Sequence, residues 1–252
     1  GQMLGSVVSG LANDVFGWHS ALVIGAGVGA AAAAIAWLAM PAGESTAASR
    51  DSGSFATLYG RVLVNPKAPW LIGGVAVEAM LFYGLFPYMG ELLLATARPA
   101  DTGIAGVTGL VLGAFGIGGL LYAFSVRAFL RLLGVRRMCL VGSAAAAASY
   151  AALAFAPSWW LAALAMFVAG ISFYMLHNSM QTEATELAPS ARGSAVALFA
   201  CGFFIGQGLG PLVFGALLHG LGARPALVAI AAAIVVLGRV VVARVIDRLS
   251  PA

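Results

Sequence analysis

Runs of apolar residues dominate this chain, and they constrain its fold more than any other feature. An α-helix needs about 20 mainly apolar residues to cross the hydrocarbon core of a bilayer. Eight runs of about this length follow one another here, separated by breaks that hold Pro, Gly or charged residues. The runs are 1–16, 19–40, 68–94, 102–126, 138–156, 159–181, 194–218 and 225–246.

The composition supports the same interpretation. Hydrophobic residues make up 62% of the chain and charged residues only 9%, whereas about a quarter of the residues in a soluble domain are charged. Within lipid, backbone polar groups must be satisfied inside a helix or a closed barrel, and these runs are too long for barrel strands. We therefore predict an all-α integral membrane protein of about eight transmembrane helices. The net charge of +4 is too small to indicate a nucleic-acid partner.

One glycine-rich stretch occurs twice. Residues 1–10 align without a gap on residues 206–215, and the match continues to the pair Val23 and Val228. The shared glycines include Gly1 with Gly206, Gly5 with Gly210, and Gly10 with Gly215. A conserved spacing that crosses a helix, a turn and the next helix indicates an internal repeat.

The spacing of the repeat predicts the domain organisation. The two copies lie 205 residues apart, which corresponds to six helices, and an even number keeps both copies in the same orientation. Two such units make twelve helices. We expect residues 1–40 to be the last two helices of the first half, 41–67 a linker, and 68–252 the complete second half. The four helices before them would then be missing from the chain, and we expect the chain alone not to transport.

The distribution of Lys and Arg predicts the orientation. Of the 13 Lys and Arg residues, all except Arg98 and Arg224 fall on one side if the loops 41–67, 127–137 and 182–193 share that side with the C-terminus. The positive-inside rule then makes this side cytoplasmic in a bacterial inner membrane. The end of the linker is amphipathic from Phe55 to Leu63, so it is either a helix on the membrane surface or a plain linker.

Three motifs resemble those of the major facilitator superfamily of secondary transporters. The stretch 1–10 is similar to the glycine–proline motif of the fifth helix in proton-coupled exporters, with Ser6 in place of the proline; the copy at 206–215 keeps Pro211. The loop Arg131, Gly134, Arg136 and Arg137 is similar to the gating loop between the eighth and ninth helices, with Leu130 in place of the usual acidic residue. The segment Glu186, Pro189, Arg192 and Gly193 is similar to the turn before the eleventh helix.

This resemblance implies a fold and a function for the chain. The eight helices would correspond to helices 5–12 of a twelve-helix transporter that exposes a central cavity to each side in turn. The motifs are most similar to those of bacterial drug or metabolite exporters that exchange their substrate for protons. A small organic solute, protons and the bilayer are then the expected partners. The full-length protein is expected to be monomeric.

Glu78 is the residue whose side chain costs the most free energy to place in the predicted membrane region. It lies near the middle of the third run, where a carboxylate costs about 2.5–3.5 kcal/mol unless it is paired, protonated or facing a cavity. Such a group suits proton coupling or substrate contact. The alternative is a structural carboxylate that hydrogen-bonds to a neighbouring helix.

Five other polar or aromatic residues are weaker candidates. Gln207 and its repeat partner Gln2 are buried amides that would bridge helices or contact a substrate. His177 and Asn178 are expected near the cytoplasmic end of the sixth run, where an interfacial histidine is favoured over a proton relay. Tyr83 would shape the cavity or, with Pro87 and Tyr88, accompany a kink in the third run.

The sequence contains no phosphate-binding loop and no Cys/His cluster at metal-ligand spacing, so we expect no cofactor and no metal. An ion or solute gradient would then drive transport. Uptake or uniport is the alternative within transport. A membrane-embedded enzyme is the alternative from another class, and contact between Glu78 and His177 would favour it. A third alternative, a helical scaffold, would have a filled centre.

Overall fold

The computed structural model of the protein describes residues 2–39, 55–96 and 103–247. Within these ranges the chain forms helices and short turns. The α-helices are α1 (Gln2–Phe16), α2 (Trp18–Ala39), α3 (Phe55–Leu63), α4 (Ala68–Tyr83), α5 (Met89–Thr96), α6 (Ile104–Ala154), α7 (Trp159–Glu186), α8 (Arg192–Leu221) and α9 (Ala223–Val241). Two 3-10 helices, Phe86–Tyr88 and Pro189–Ala191, and a π-helix, Val242–Ile246, complete the described chain.

Helix α6 is too long to cross a membrane once, and it folds back at Gly134. Its 51 residues would span about 76 Å at 1.5 Å per residue. Gly134 has φ 67° and ψ 167°, a conformation that is open essentially only to glycine. The Tyr122 hydroxyl lies 3.8 Å from the Met138 sulfur, although 16 residues of straight helix would separate them by about 24 Å. Helix α6 is therefore a hairpin of two arms, 104–133 and 135–154.

The predicted fold class is confirmed. Among the described residues, six helical segments are long and apolar enough to cross a membrane, with α6 counted once. Division of α6 into its two arms and addition of the shorter α1 give eight helical segments, the predicted number. The prediction of a loop over 127–137 was wrong, because both arms of α6 remain helical up to Gly134. Exposed arginines in this stretch can extend into water from a helix as readily as from a loop.

Close backbone contacts between helices occur at glycines. A Cβ atom on Gly206 of α8 would collide with the carbonyl oxygen of Ala76 of α4, and one on Gly210 would lie 2.7 Å from that of Met80. The other copy of the repeat packs in the same way, since a Cβ on Gly10 of α1 would lie 2.5 Å from the Ala105 carbonyl oxygen of α6. The repeated glycines are thus used for helix packing. Gly5 is an exception and has open space around it.

The third predicted run is broken between α4 and α5. Helix α4 ends at Tyr83 and the chain continues through the 3-10 helix that contains Pro87, as expected for a residue without a backbone donor. The buried Tyr150 hydroxyl donates to the carbonyl oxygens of Phe82 at 2.9 Å and Leu81 at 3.2 Å. This contact ties the break to the second arm of α6. The Tyr88 hydroxyl donates to the Pro211 carbonyl at 3.1 Å and so ties it to α8.

Polar contacts gather several helix ends at one face of the bundle, which we call the basic face. The Lys67 ammonium, before α4, lies 3.5 Å from a Glu183 carboxylate oxygen near the end of α7. The Asn65 amide donates to the Leu187 carbonyl at 2.8 Å. Arg136, after the Gly134 turn, lies 3.0 Å from Asp247 beyond α9. Helix α3 lies near this face and buries Val62.

The opposite face is closed by a contact between α1 and α6. The Asp14 carboxylate of α1 accepts hydrogen bonds from the Gly106 and Ala105 backbone N–H groups, at 2.5 and 3.2 Å. The N-cap residue of α6, Gly103, supplies no side-chain cap. Asp14 therefore caps α6 from another helix, where a carboxylate also meets the positive end of the helix dipole.

Candidate functional site

Glu78 of α4 and His177 of α7 form a buried pair between helices. The Glu78 carboxylate oxygen Oε2 and the His177 Nδ1 atom lie 2.7 Å apart. The Glu78 side chain is fully buried and the His177 side chain is 15% exposed. The imidazole is therefore the part of the pair that is accessible from outside the bundle, and the carboxylate lies behind it. The sequence indicated Glu78 as a functional candidate but did not pair it with His177.

The two residues lie at the same depth, which corrects the expectation that His177 lies near the interface. Glu78 follows the first residue of α4 by ten positions and His177 precedes the last residue of α7 by nine. Both are about 13–15 Å from the basic face at 1.5 Å per residue. The predicted run ended at residue 181, but α7 continues to Glu186. The polar residues of this last turn remain helical, so His177 lies deeper than hydropathy indicated.

Aromatic rings surround the imidazole. The His177 ring centroid lies 5.0 Å from that of Phe173, 5.1 Å from that of Phe203 and 5.4 Å from that of Phe199. These residues come from α7 and α8. In such an apolar setting a charge is poorly solvated and interacts strongly with its nearest partner. The pair therefore depends on its own hydrogen bond for stability.

One carboxylate oxygen of the pair accepts no hydrogen bond from the described part of the chain. Within the described ranges, Glu78 Oε1 is the buried side-chain polar atom without a hydrogen-bond partner. Such an atom is costly unless a proton, a water molecule or a ligand satisfies it. The pair can bind a proton on the carboxylate or on the imidazole. The arrangement is thus suited to bind and release a proton.

Tyr83 belongs to the same aromatic cluster. Its ring lies 5.5 Å from that of Phe173, 5.6 Å from that of Phe203 and 6.0 Å from that of Phe115. The cluster therefore joins α4, the first arm of α6, α7 and α8. Tyr83 is buried and lies one helical turn beyond Glu78, on the side away from the basic face.

Asn178 faces a different space from its neighbour His177. It lines a cavity of about 200 Å³ near the basic face, together with Tyr122, Ser179 and Thr182. Gln207 of α8 is half-buried, and no hydrogen bond joins its side chain to another described residue. The Gln2 side chain lies outside the described residues. The structure therefore brings together Glu78, His177 and Tyr83, but neither Asn178 nor Gln207 joins them.

The two predicted motif segments lie at the basic face. Arg131 and Arg137 are exposed, and Arg136 pairs with Asp247 rather than with a residue of its own turn. In the second segment, the Arg192 guanidinium lies 3.4 Å from Glu186 and Pro189 opens a 3-10 helix. Gly193 has open space around it, and Gly1 lies outside the described residues.

Asp14 was missed by sequence reasoning. It lies in a break between apolar runs, where an acidic residue is normally interpreted as part of a solvated turn. The available signal was Gly103 at the start of the next apolar run, because a glycine cannot cap a helix with its side chain. Pairing the two required knowledge that α1 and α6 are neighbours.

Comparison with known proteins identifies the family. The sequence model of the Major Facilitator Superfamily matches residues 93–252. The chain belongs to the Major Facilitator Superfamily. The chain therefore belongs to a family of membrane transporters rather than to a family of enzymes. The family membership argues against an enzyme, which the Glu78–His177 contact by itself would have favoured.

The relatives in this superfamily include transporters of sugars. A probable sugar efflux transporter of Helicobacter pylori strain 26695 is 25% identical over 232 residues, which cover 88% of this chain and 54% of the relative. The corresponding protein of strain G27 is 24% identical over the same coverage. The chain spans about half the length of these relatives.

A solved structure shares the fold. A bacterial homolog to the human lysosomal transporter Spinster, in an inward-facing and unoccupied conformation, superimposes with a TM-score of 0.56 and 20% sequence identity. The match covers 99% of this chain and 65% of the other. At this identity the match supports the fold alone.

Proposed function

We propose that this chain is part of a secondary transporter that exports a small polar solute in exchange for protons. The observation that carries the proposal is the Glu78–His177 pair, a titratable site buried among four helices of a transporter. The names of the relatives make sugars and related metabolites the first solute class to test. Amphiphilic drugs, which the motif resemblance suggested, are the second.

The geometry supports a simple exchange at this pair. A proton held by the pair keeps the buried carboxylate from carrying an uncompensated charge. In a state of the transporter that exposes Glu78 Oε1, which is buried here, a solute hydroxyl that donates to this oxygen would help to stabilise the carboxylate after the proton has left. Proton and solute then compete for one site, so that the entry of one favours the release of the other. The aromatic rings around His177 offer apolar faces on which a sugar ring can stack.

The distribution of positive charge supports an orientation with the basic face in the cytoplasm. The C-terminus and the 41–67 linker would then be cytoplasmic, in a bacterial inner membrane. Residues 41–54 of the linker lie outside the described residues, and its remainder contains α3.

A transport assay on the reconstituted full-length protein, of which this chain is a part, tests this function. Proteoliposomes that contain a pH-sensitive dye would receive a panel of mono- and disaccharides, followed by amphiphilic cations. We expect a saccharide to drive proton movement in the opposite direction to its own. Saccharide movement without proton movement would support uniport and contradict exchange. If the amphiphilic cations drive proton movement and the saccharides do not, the substrate class is amphiphilic drugs rather than sugars.

We also propose that the Asp14 contact holds the outer side of the transporter closed. Helix α1 belongs to the first half of the repeat and α6 to the second, so Asp14 bridges the two halves. A cap of this kind is worth about 1–2 kcal/mol, and its loss would change the population of the outer-closed state about tenfold. Next to the contact lies an open cleft of about 520 Å³ between α1, α5 and α6, which is lined in part by Ser9, Asn13 and Thr108.

We therefore expect Asp14→Asn to separate α1 from α6 more often and so to make this cleft more accessible from the outside. The measurement is the rate at which an impermeant maleimide labels Ser9→Cys, with Cys139 and Cys201 replaced by serine. Labelling should be about tenfold faster with Asp14→Asn, since an amide lacks the charge that the helix end attracts. Asn13→Ala is the matched control, and its labelling rate should be unchanged. Equal rates for Asp14→Asn and the control would show that the contact does not hold the outer side closed.

A further inference from the structure

An apolar groove runs along the surface of the structure between α4 and α9. Its volume is about 620 Å³, and all the residues that line it are apolar or glycine. Trp70, Gly73 and Val77 form the α4 wall, and Val236 and Val240 form the α9 wall. From Trp70 to Val77 the groove follows seven residues of helix, about 10 Å. No atom lies within 4 Å of a Cβ built on Gly73, so the groove is open at its middle.

An arginine lies at the end of this groove nearest the basic face. The Arg244 guanidinium carbon lies 4.6 Å from the centroid of the Trp70 ring, a cation–π contact. Arg244 follows Val236 and Val240 at intervals of four, so it continues the stripe that lines the groove. It lies in the π-helix Val242–Ile246, a local distortion often found at functional sites.

Arg244 is exposed and has no acidic partner in the described part of the chain. The ion pairs there involve other residues, and the nearest acidic residue in sequence, Asp247, binds Arg136. Arg244 therefore presents an uncompensated positive charge at the mouth of an apolar groove. The tryptophan beside it is a residue that prefers the level of the lipid headgroups. Apolar surface continuous with an unpaired cation at this level is complementary to a lipid with an anionic headgroup.

We propose that this groove is a binding site for an anionic phospholipid of the leaflet at the basic face. One acyl chain lies in the groove against Gly73, and the phosphate accepts hydrogen bonds from the Arg244 guanidinium. The guanidinium matches the geometry of a phosphate oxygen pair. The site is separate from the Glu78–His177 pair, so the proposal does not depend on the transported solute or on proton coupling.

Native mass spectrometry and thermal melting of the protein test this proposal. Phosphatidylglycerol and phosphatidylcholine with identical acyl chains would be compared on the wild type, on Arg244→Gln and on Arg239→Gln. Arg239 is the matched control, an exposed arginine on α9 without the Trp70 contact. We expect phosphatidylglycerol to remain bound and to raise the melting temperature of the wild type and of Arg239→Gln. Its affinity should fall about five- to tenfold in Arg244→Gln.

A substitution that fills the groove distinguishes the contribution of the acyl chain to binding from that of the headgroup. Gly73→Leu keeps Arg244 and fills the groove, so we expect it to lose phosphatidylglycerol retention while the protein melts cooperatively. Gly208→Leu, at another glycine with open space around it, should retain the lipid. This pair keeps the test decisive if Arg244→Gln fails to fold.

Several outcomes would overturn the proposal. Equal retention of the two lipids, or equal losses in Arg244→Gln and Arg239→Gln, would show only general attraction between basic residues and anionic lipid. Full stabilisation by glycerol phosphate without acyl chains would show that the groove takes no part. Disulfide cross-linking of two copies through Gly73→Cys in a cysteine-free background would show that a second copy covers the groove.

Discussion

Replacement of Glu78 by glutamine is expected to abolish proton-coupled transport and to leave the fold about as stable as the wild type. The amide has nearly the same shape and can still hydrogen-bond to His177, but it cannot take up or release a proton. The change also removes a titratable group from a fully buried position, where a charge is poorly solvated. We expect coupled transport to fall below a tenth of the wild-type rate.

The competing interpretation predicts the reverse pattern. If Glu78 and His177 form a structural ion pair, loss of one partner from a buried pair costs about 3–5 kcal/mol and lowers the melting temperature. Transport by the molecules that remain folded would then persist. Measurement of the transport rate and the melting temperature on the same preparation therefore distinguishes the two roles.

Glu183→Gln is the matched control for this experiment. Glu183 lies on α7 as His177 does, is mostly buried and pairs with Lys67, but it lies near the basic face rather than in the middle of the bundle. We expect a small effect on proton coupling. A loss of coupling as large as that of Glu78→Gln would show that any paired carboxylate in the bundle is required, which would contradict a specific role for Glu78.

Replacement of Gly206 by alanine is the second large effect that we expect. The added Cβ would collide with the Ala76 carbonyl oxygen, and neither backbone can move without shifting a whole helix. Overpacking of this kind costs about 1–3 kcal/mol, and at a backbone-to-backbone contact we expect the upper part of this range. The protein should show a lower melting temperature and a smaller monodisperse fraction in detergent.

Gly208→Ala separates this collision from the intrinsic effect of the substitution. Gly208 lies on the same helix with open space around it, and alanine favours an exposed helix by up to about 1 kcal/mol over glycine. Gly208→Ala should therefore be neutral or slightly stabilising. Equal melting temperatures for the two variants would contradict the close α4–α8 contact in the structure.

The sequence by itself determined the helical membrane fold, its approximate number of helices and the importance of two features. Apolar runs and their breaks are local properties, because a backbone in lipid must satisfy its hydrogen bonds within the same segment. The repeated glycines stood out through their shared spacing, and the structure uses Gly10, Gly206 and Gly210 for close packing between helices. Glu78 stood out because a carboxylate within an apolar run is costly wherever the helix packs.

Only the tertiary structure decided which residues meet. Glu78 and His177 are 99 residues apart in sequence, and Asp14 and Gly106 are 92 residues apart. These contacts depend on the rotation of each helix about its axis and on the residue at which it ends. Hydropathy is averaged over whole helical turns, so it defines neither the rotation of a helix nor the residue at which it ends. The depth of His177 shows the consequence, because a helix that continued one turn beyond its apolar run moved this residue from the expected interface to the level of Glu78.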